Sequence, residues 1–399
     1  MLVILSIVLK VFSFKAMFRI ISQEVVQIVD TASLYYESQL LNFDRIKSNI
    51  EIFLGMQGKT EKEKNNKIIF RTAGQRNLNY INFISLAELK KNIRITISFS
   101  YSRYKKTDNY ELCENEKTIG RIHAELAKIL KIITEKPVLA KDLKIATIDI
   151  SNQLEVPNVS SYYKCKDIIY RALKLTETNG RLYFDTGEDK RKTLDGLDFR
   201  EQGKRRREAN TYFKIYSKRK EEERTGKDPR GHATALRGEL TLKGAFLKKH
   251  HFQMAAGITR ENLDRILYNE LAETLAEGIE KELNYSITHL ATLLKNHSTN
   301  KIREILTINE HHIFDVKILD IILIPENIGV SERQCRTYKK QVKEILQEIE
   351  NQGEIKKNFT GNFERLTKLL RKVAKMELSF EFTEKGVVIK WERLQNKEK

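Results

Sequence analysis

One stretch, IRITISFSYSRY at residues 93–104, limits the fold more than any other. Ile93, Ile95, Ile97, Phe99 and Tyr101 alternate with polar residues, so an extended chain here puts its apolar side chains on one face. A strand of that kind is half-buried and needs a layer to cover it. Further strands are predicted at QIVDTASLYY (27–36), IEIFLG (50–55), KIIFRT (67–72), KIATIDISNQLE (144–155), GRLYFDTG (180–187), NTYFKIYSK (210–218) and TALRGELTLKG (234–244). Helical spacing of apolar residues appears at 114–133, where Ile119, Ile122, Leu126 and Ile129 share a face, and again at 160–176. The charged run at 188–209 reads as a basic linker, and no internal repeat is evident.

Beyond residue 255 the period is helical, from TRENLDRILYNELAETLAEGIEKEL (259–283) to about residue 349, and LSFEFTEKGVVIKWER forms a closing hairpin turned at Lys385-Gly386. The expected fold class is therefore α+β: a mainly antiparallel sheet with flanking helices, followed by a mostly α-helical C-terminal domain. The expected divisions are 1–26, 27–250 and 251–399. Residues 1–26 read as an apolar N-terminal extension. The Leu2–Leu9 run is too short to span a bilayer and lacks the flanks of a signal peptide, while Met17 offers a later start. No other segment is apolar enough to enter a membrane, so a cytoplasmic protein is expected.

The net charge of +18 argues for a polyanionic partner, with nucleic acid first among the candidates. It is concentrated in part at 199–230, where twelve Lys/Arg stand against six Asp/Glu, a balance of +6. That stretch contains Arg205, Arg206 and Arg207, candidates for the phosphate backbone. Cys113, Cys165 and Cys335 form no CxxC pair and read as reduced thiols, not zinc ligands.

Four short features carry chemistry. Asp30-Thr31 lies in the opening strand. Asp149 sits in TIDIS, Tyr216, Lys218 and Glu221 in IYSKRKE, and Arg237 and Glu239 in LRGEL. In this order the chain resembles the rolling-circle replication initiators of filamentous phages (the gene II product family) and of small plasmids. VQIVDT stands where that family writes M-I-D, and SYSRYKKTDNYE with Asn109 stands at its S/K-rich strand and G-x-N motif. TIDI matches R-I-D-hydrophobic, with Thr147 in place of the arginine. Tyr216, Lys218 and Glu221 complete Y-x-K-x-x-E, and Leu236, Arg237 and Glu239 complete hydrophobic-R-x-E. The resemblance covers about residues 27–250. It implies a nuclease-like sheet, nicking and rejoining of origin DNA through a phosphotyrosine, contact with both double- and single-stranded origin DNA, and a host helicase as partner. Oligomeric state is left open, a dimer included.

A phenol with a pKa near 10 is a weak nucleophile and needs a cation, a base or a metal-polarised phosphate. Tyr216 is the expected nucleophile, with Tyr212 on the same strand face as second choice. Asp149, Glu221 and Glu239 are the expected ligands of Mg²⁺ or Mn²⁺. Lys218 is expected to stabilise developing charge, and Arg237 to hold a flanking phosphate. In the C-terminal part, IGVSERQCRTYKKQV within 319–350 has helix-turn-helix logic. Gly329 makes the turn, Ser331 caps, and Arg333, Gln334, Arg336 and Lys340 are presented to DNA. Two alternatives stay open: a non-catalytic, sequence-specific DNA-binding regulator, and a conjugative relaxase, which would share the nicking chemistry.

Overall fold

The computed structural model describes residues 29–55, 62–64, 67–72, 78–104, 116–175, 179–185, 193–200, 211–224, 235–297, 301–352 and 358–394. Within them the chain is α+β, strand-rich first and mostly helical later. The strands form a ten-stranded sheet in the order β2-β3-β4-β5-β1-β6-β10-β9-β8-β7, and every pairing in it is antiparallel.

That order is built from one unit used twice. β1 (Val29–Ser38) leads through α1 (Phe43–Phe53) into a meander of β2 (Lys62–Lys64), β3 (Lys67–Arg71), β4 (Ile81–Glu88) and β5 (Ile93–Ser100). The last of these strands pairs back onto β1. After α2 (Glu116–Thr134) the pattern recurs. β6 (Lys144–Glu155) leads through α3 (Tyr163–Lys174) into β7 (Asn179–Asp185), β8 (Thr193–Arg200), β9 (Thr211–Ser217) and β10 (Ala235–Lys243), and β10 pairs back onto β6. A short helix, α4 (Lys218–Arg224), separates β9 from β10. The two halves meet along the β1–β6 pair, Ala32 opposite Ile148. The repeat escaped the sequence because the halves share connectivity and not residues.

Alternation sorts the sheet into an apolar and a polar face. Ala32 and Leu34 of β1, Ile148, Ile150 and Leu154 of β6, and Leu236, Leu240 and Leu242 of β10 are buried on the apolar side. Later helices cover it. After α5 (Gly244–Lys249) come the 37-residue α6 (Arg260–Asn296), α7 (Ile302–Ile308), α8 (Leu319–Ile322), α9 (Pro325–Ile328), α10 (Glu332–Gln352) and α11 (Asn362–Val373). α11 buries Phe363, Leu366, Leu369, Leu370 and Val373 and packs on β6 and β10. α6 packs on α3, where a side chain at Gly278 would come within 2.7 Å of the Ala172 carbonyl. The hairpin of β11 (Met376–Thr383) and β12 (Gly386–Arg393) is fastened to α6: Val387 N–H donates to Asn284 at 2.8 Å, and Ile389 N–H to Glu280 at 2.8 Å. The hydrophobic core is continuous across residue 250. Among the described residues no helix is long and apolar enough to cross a membrane.

Three local expectations are corrected. IEIFLG belongs to α1 and its cap, because Ile46, Ile50 and Leu54 recur at helical spacing and are all buried. The presumed linker at 188–209 contains β8, whose Leu197 and Phe199 are core residues inside a charged run. Lys218 is not a strand residue, since β9 ends at Ser217 and α4, which also carries Glu221, begins at Lys218. β4 was not foreseen. Of the cysteines, Cys165 and Cys335 are buried free thiols, and Cys113 lies outside the described residues.

Gly238 sits between Arg237 and Glu239 and faces α11, where any Cβ would run into the Val373 side chain. Gly238→Ala is expected to destabilise the fold by about 1–3 kcal/mol in denaturant unfolding. His123 is buried, 2.7 Å from the Tyr101 hydroxyl, and burial holds its pKa down to about 4 from an ordinary 6.5. The unfolded chain takes that proton near pH 6.5 and the folded chain only near 4. Stability is therefore expected to fall as pH drops through this window, by up to about 1.4 kcal/mol per pH unit. A His123→Gln variant should show a flatter dependence of its urea midpoint between pH 7 and 5.

Candidate functional site

The polar face concentrates its chemistry in the second half, where β6, β10 and β9 lie side by side. Their registers put Asp149 opposite Thr241, Glu239 opposite Lys214, and Arg237 between Gln153 and Tyr216. Period two then brings Tyr212, Lys214 and Tyr216 to the same side as Arg237, Glu239 and Asp149. On β8, Gly196 lies beside Tyr216, and a Cβ there would approach the Tyr216 Cβ to 2.9 Å. A residue with no side chain keeps the flank of the tyrosine clear.

Tyr216 is half-buried, and its hydroxyl donates to Glu239 Oε2 at 3.2 Å. The Arg237 guanidinium lies near enough to favour the ionised phenol, against the effect of burial. Burial, and behind it the Glu239 carboxylate, push the Tyr216 pKa well above its ordinary 10. The phenol is thus held protonated, with a proton acceptor already in place. Burial raises Glu239 to about 7, with Asp149 and Asp30 adding repulsion and Lys214 opposing it. Arg237 is fully buried: Nη1 is 3.4 Å from Asp30 Oδ2, and Nη2 donates to Gln153 at 2.9 Å. Asp30 also accepts from Ser102 at 3.0 Å. The opening strand therefore reaches the tyrosine through Asp30 and Arg237. Asp30 was noted in the sequence without a role, and Lys214 was passed over although its position on β9 put it between the two tyrosines.

Asp149 accepts from Thr31 and, at 2.5 Å, from Thr241; burial raises its pKa. Asp149 and Glu239 line one pocket of about 260 Å³ with Thr31, Ser98, Tyr212 and Lys243. Glu221 does not join them. It pairs with Lys218 Nζ at 2.6 Å, and Lys218 is itself buried with its pKa lowered by desolvation and then by Arg237. Among the described residues, no three His, Cys, Asp or Glu side chains stand together as a group for one ion. Tyr212 is buried and donates to Asp198 at 3.1 Å.

Asn109, Arg205, Arg206 and Arg207 lie outside the described residues. In the C-terminal part, Gly329 makes a left-handed turn (φ 67°) after the single turn α9. Ser331 and Gln334 cap α10 reciprocally, with Ser331 N–H donating to Gln334 Oε1 at 3.0 Å and Gln334 N–H to Ser331 Oγ at 3.4 Å. Arg333, Gln334, Arg336 and Lys340 are all exposed on α10. Gln334 spends its carbonyl oxygen on the cap, and Arg336 pairs with Glu332 at 2.5 Å.

No protein-family model matches the chain, and no curated protein matches it.

Removing Arg237 would leave Asp30 buried beside a phenol with no cation between them. Arg237→Met is expected to cost about 3–5 kcal/mol in urea unfolding, far more than a surface arginine.

Proposed function

We propose that the chain is a rolling-circle replication initiator of a plasmid or phage, which nicks and rejoins DNA with Tyr216. The observation that carries the proposal is a strand tyrosine whose hydroxyl rests on a buried carboxylate, Glu239, beside a buried arginine. The order of short motifs along the chain supports it. In the proposed step Tyr216 Oη attacks phosphorus and its proton passes to Glu239 Oε2. The P–O3′ bond breaks, its electron pair leaves on the 3′ oxygen, which takes a proton from water, and a 5′-phosphotyrosine remains. Reversal of the same step by a 3′-hydroxyl rejoins the strand.

The residues present fit a hard divalent cation. Mg²⁺ uses one or two carboxylates and keeps several waters. Asp149 and Glu239 share a pocket, and Asp149 adds repulsion at Glu239 that a cation between them would relieve. Held there, Mg²⁺ or Mn²⁺ would supply a Lewis acid that polarises the scissile phosphate. Arg237, fixed by Asp30 and Gln153, sets a positive charge beside the phenol. The exposed basic residues Arg333, Arg336 and Lys340 of α10 support contact with origin DNA in a helix-turn-helix manner. A host helicase as partner and action in the cytoplasm belong to the same proposal.

The test is nicking of supercoiled DNA carrying the replicon's own origin, with Mg²⁺ or Mn²⁺, resolved on a denaturing gel with and without protease. Wild type should give nicked DNA with protein attached, and Tyr216→Phe should give none. Tyr212→Phe should retain the nick, because its hydroxyl is tied to Asp198. Loss in Tyr212→Phe alone would move the nucleophile. Tight binding with no metal-dependent nick would overturn the enzyme and leave a DNA-binding regulator.

A further inference from the structure

We propose that Lys214 is the cation that meets the scissile phosphodiester, the position expected from the sequence for Lys218. The assignment rests on the strand-cleaving function proposed above.

Three cations belong to this part of the fold, Arg237, Lys218 and Lys214, and they are held differently. Arg237 has none of its side chain exposed and is fixed by Asp30 and Gln153. Lys218 begins α4, is 1% exposed and has its ammonium on Glu221. Its charge is spent within the fold, below the surface that a polymer would touch. Lys214 is the member of the three with side-chain surface open to solvent, 20% of it.

Its placement follows from register. Lys214 is two residues from Tyr216 on β9 and directly across from Glu239 on β10. Its Nζ stands 2.5 Å from Glu239 Oε1 and 4.7 Å from the centre of the Tyr216 ring. The two oxygens of one carboxylate thus hold the nucleophile's hydroxyl and the ammonium side by side. A phosphodiester in line with Tyr216 Oη has to bring its non-bridging oxygens to this edge of the face. There the ammonium is within reach of a small change of rotamer. A cation over the ring is also attracted more strongly to a phenolate than to a phenol, so its contribution grows as the new O–P bond forms.

The experiment uses the full chain and supercoiled DNA carrying the replicon's own origin; once the nick is mapped, it uses single-stranded oligonucleotides spanning that site. One oligonucleotide has a normal scissile phosphodiester and the other an uncharged methylphosphonate. Wild type, Lys214→Met and Lys214→Arg are compared for cleavage rate in single turnover, for oligonucleotide binding and for thermal unfolding. Lys214→Met should slow cleavage of the phosphodiester about 10²–10³-fold while binding changes little. On the methylphosphonate, whose charge is already gone, the same variant should lose only a few-fold. Lys214→Arg should recover most of the rate. A Lys214→Met enzyme as fast as wild type, or one equally slow on both substrates, would overturn the assignment and leave the initiator function standing. A wild-type chain that makes no protein-linked nick would overturn the function and the assignment together. If Lys214→Met fails to fold, the comparison of the two substrates is made with Lys214→Gln.

Discussion

A single strand, β10, has to satisfy two environments at once, and the rest of the site depends on how it does so. Leu236, Leu240 and Leu242 belong to the layer under the helices, and Arg237, Glu239 and Thr241 to the polar face. Neither set can move without the other, because strand geometry fixes their alternation. A slip of one residue would put a guanidinium and a carboxylate into the core. Gly238 is where the two demands come closest, since the helix layer reaches the backbone itself between the two charged residues.

The polar groups around Tyr216 are costly to bury and are tolerated because each has a partner. Asp30 sits between Arg237 and Ser102, Asp149 between Thr31 and Thr241, and Glu239 between Tyr216 and Lys214. Removing a member leaves a charge with no counterpart in a place water reaches poorly. These contacts connect β1, β6, β9 and β10, so the site is also a clasp joining the two halves of the sheet. Residues more than two hundred positions apart in the chain, Asp30 and Arg237, share one ion pair.

Much of this was legible in the sequence, and the failures have physical causes. Alternation identified β3, β5, β6, β9 and β10, and helical spacing identified α2, α3 and α6. IEIFLG was misread because six residues fit both periods, and only Ile46 upstream breaks the tie. β8 was hidden because its core contribution is two residues among charges. At the site, the motifs picked out Tyr216, Arg237, Glu239 and Asp149, and the cross-strand registers bring them to one face. The motifs could not show that the chain turns into a helix at Lys218 and carries that lysine inward. Lys214 belongs to none of the short motifs, so only the cross-strand register exposes it. The three-carboxylate ligand set was a guess about distances that a linear sequence does not contain.

The doubled architecture bears on direction. Two halves related about the β1–β6 seam form a scaffold with no preferred sense across it. The side chains differ. On the polar side the first half offers the partly exposed Thr31, Ser33 and Thr96, with Arg94 and Glu37 joined to each other at the strand ends. The second half offers tyrosines, carboxylates and a buried arginine. A polymer with a chemical polarity of its own, laid over the seam, meets hydroxyls on one side and charges on the other. Turned end for end, it meets them in the opposite order. The scaffold is indifferent to that reversal, and its side chains are not.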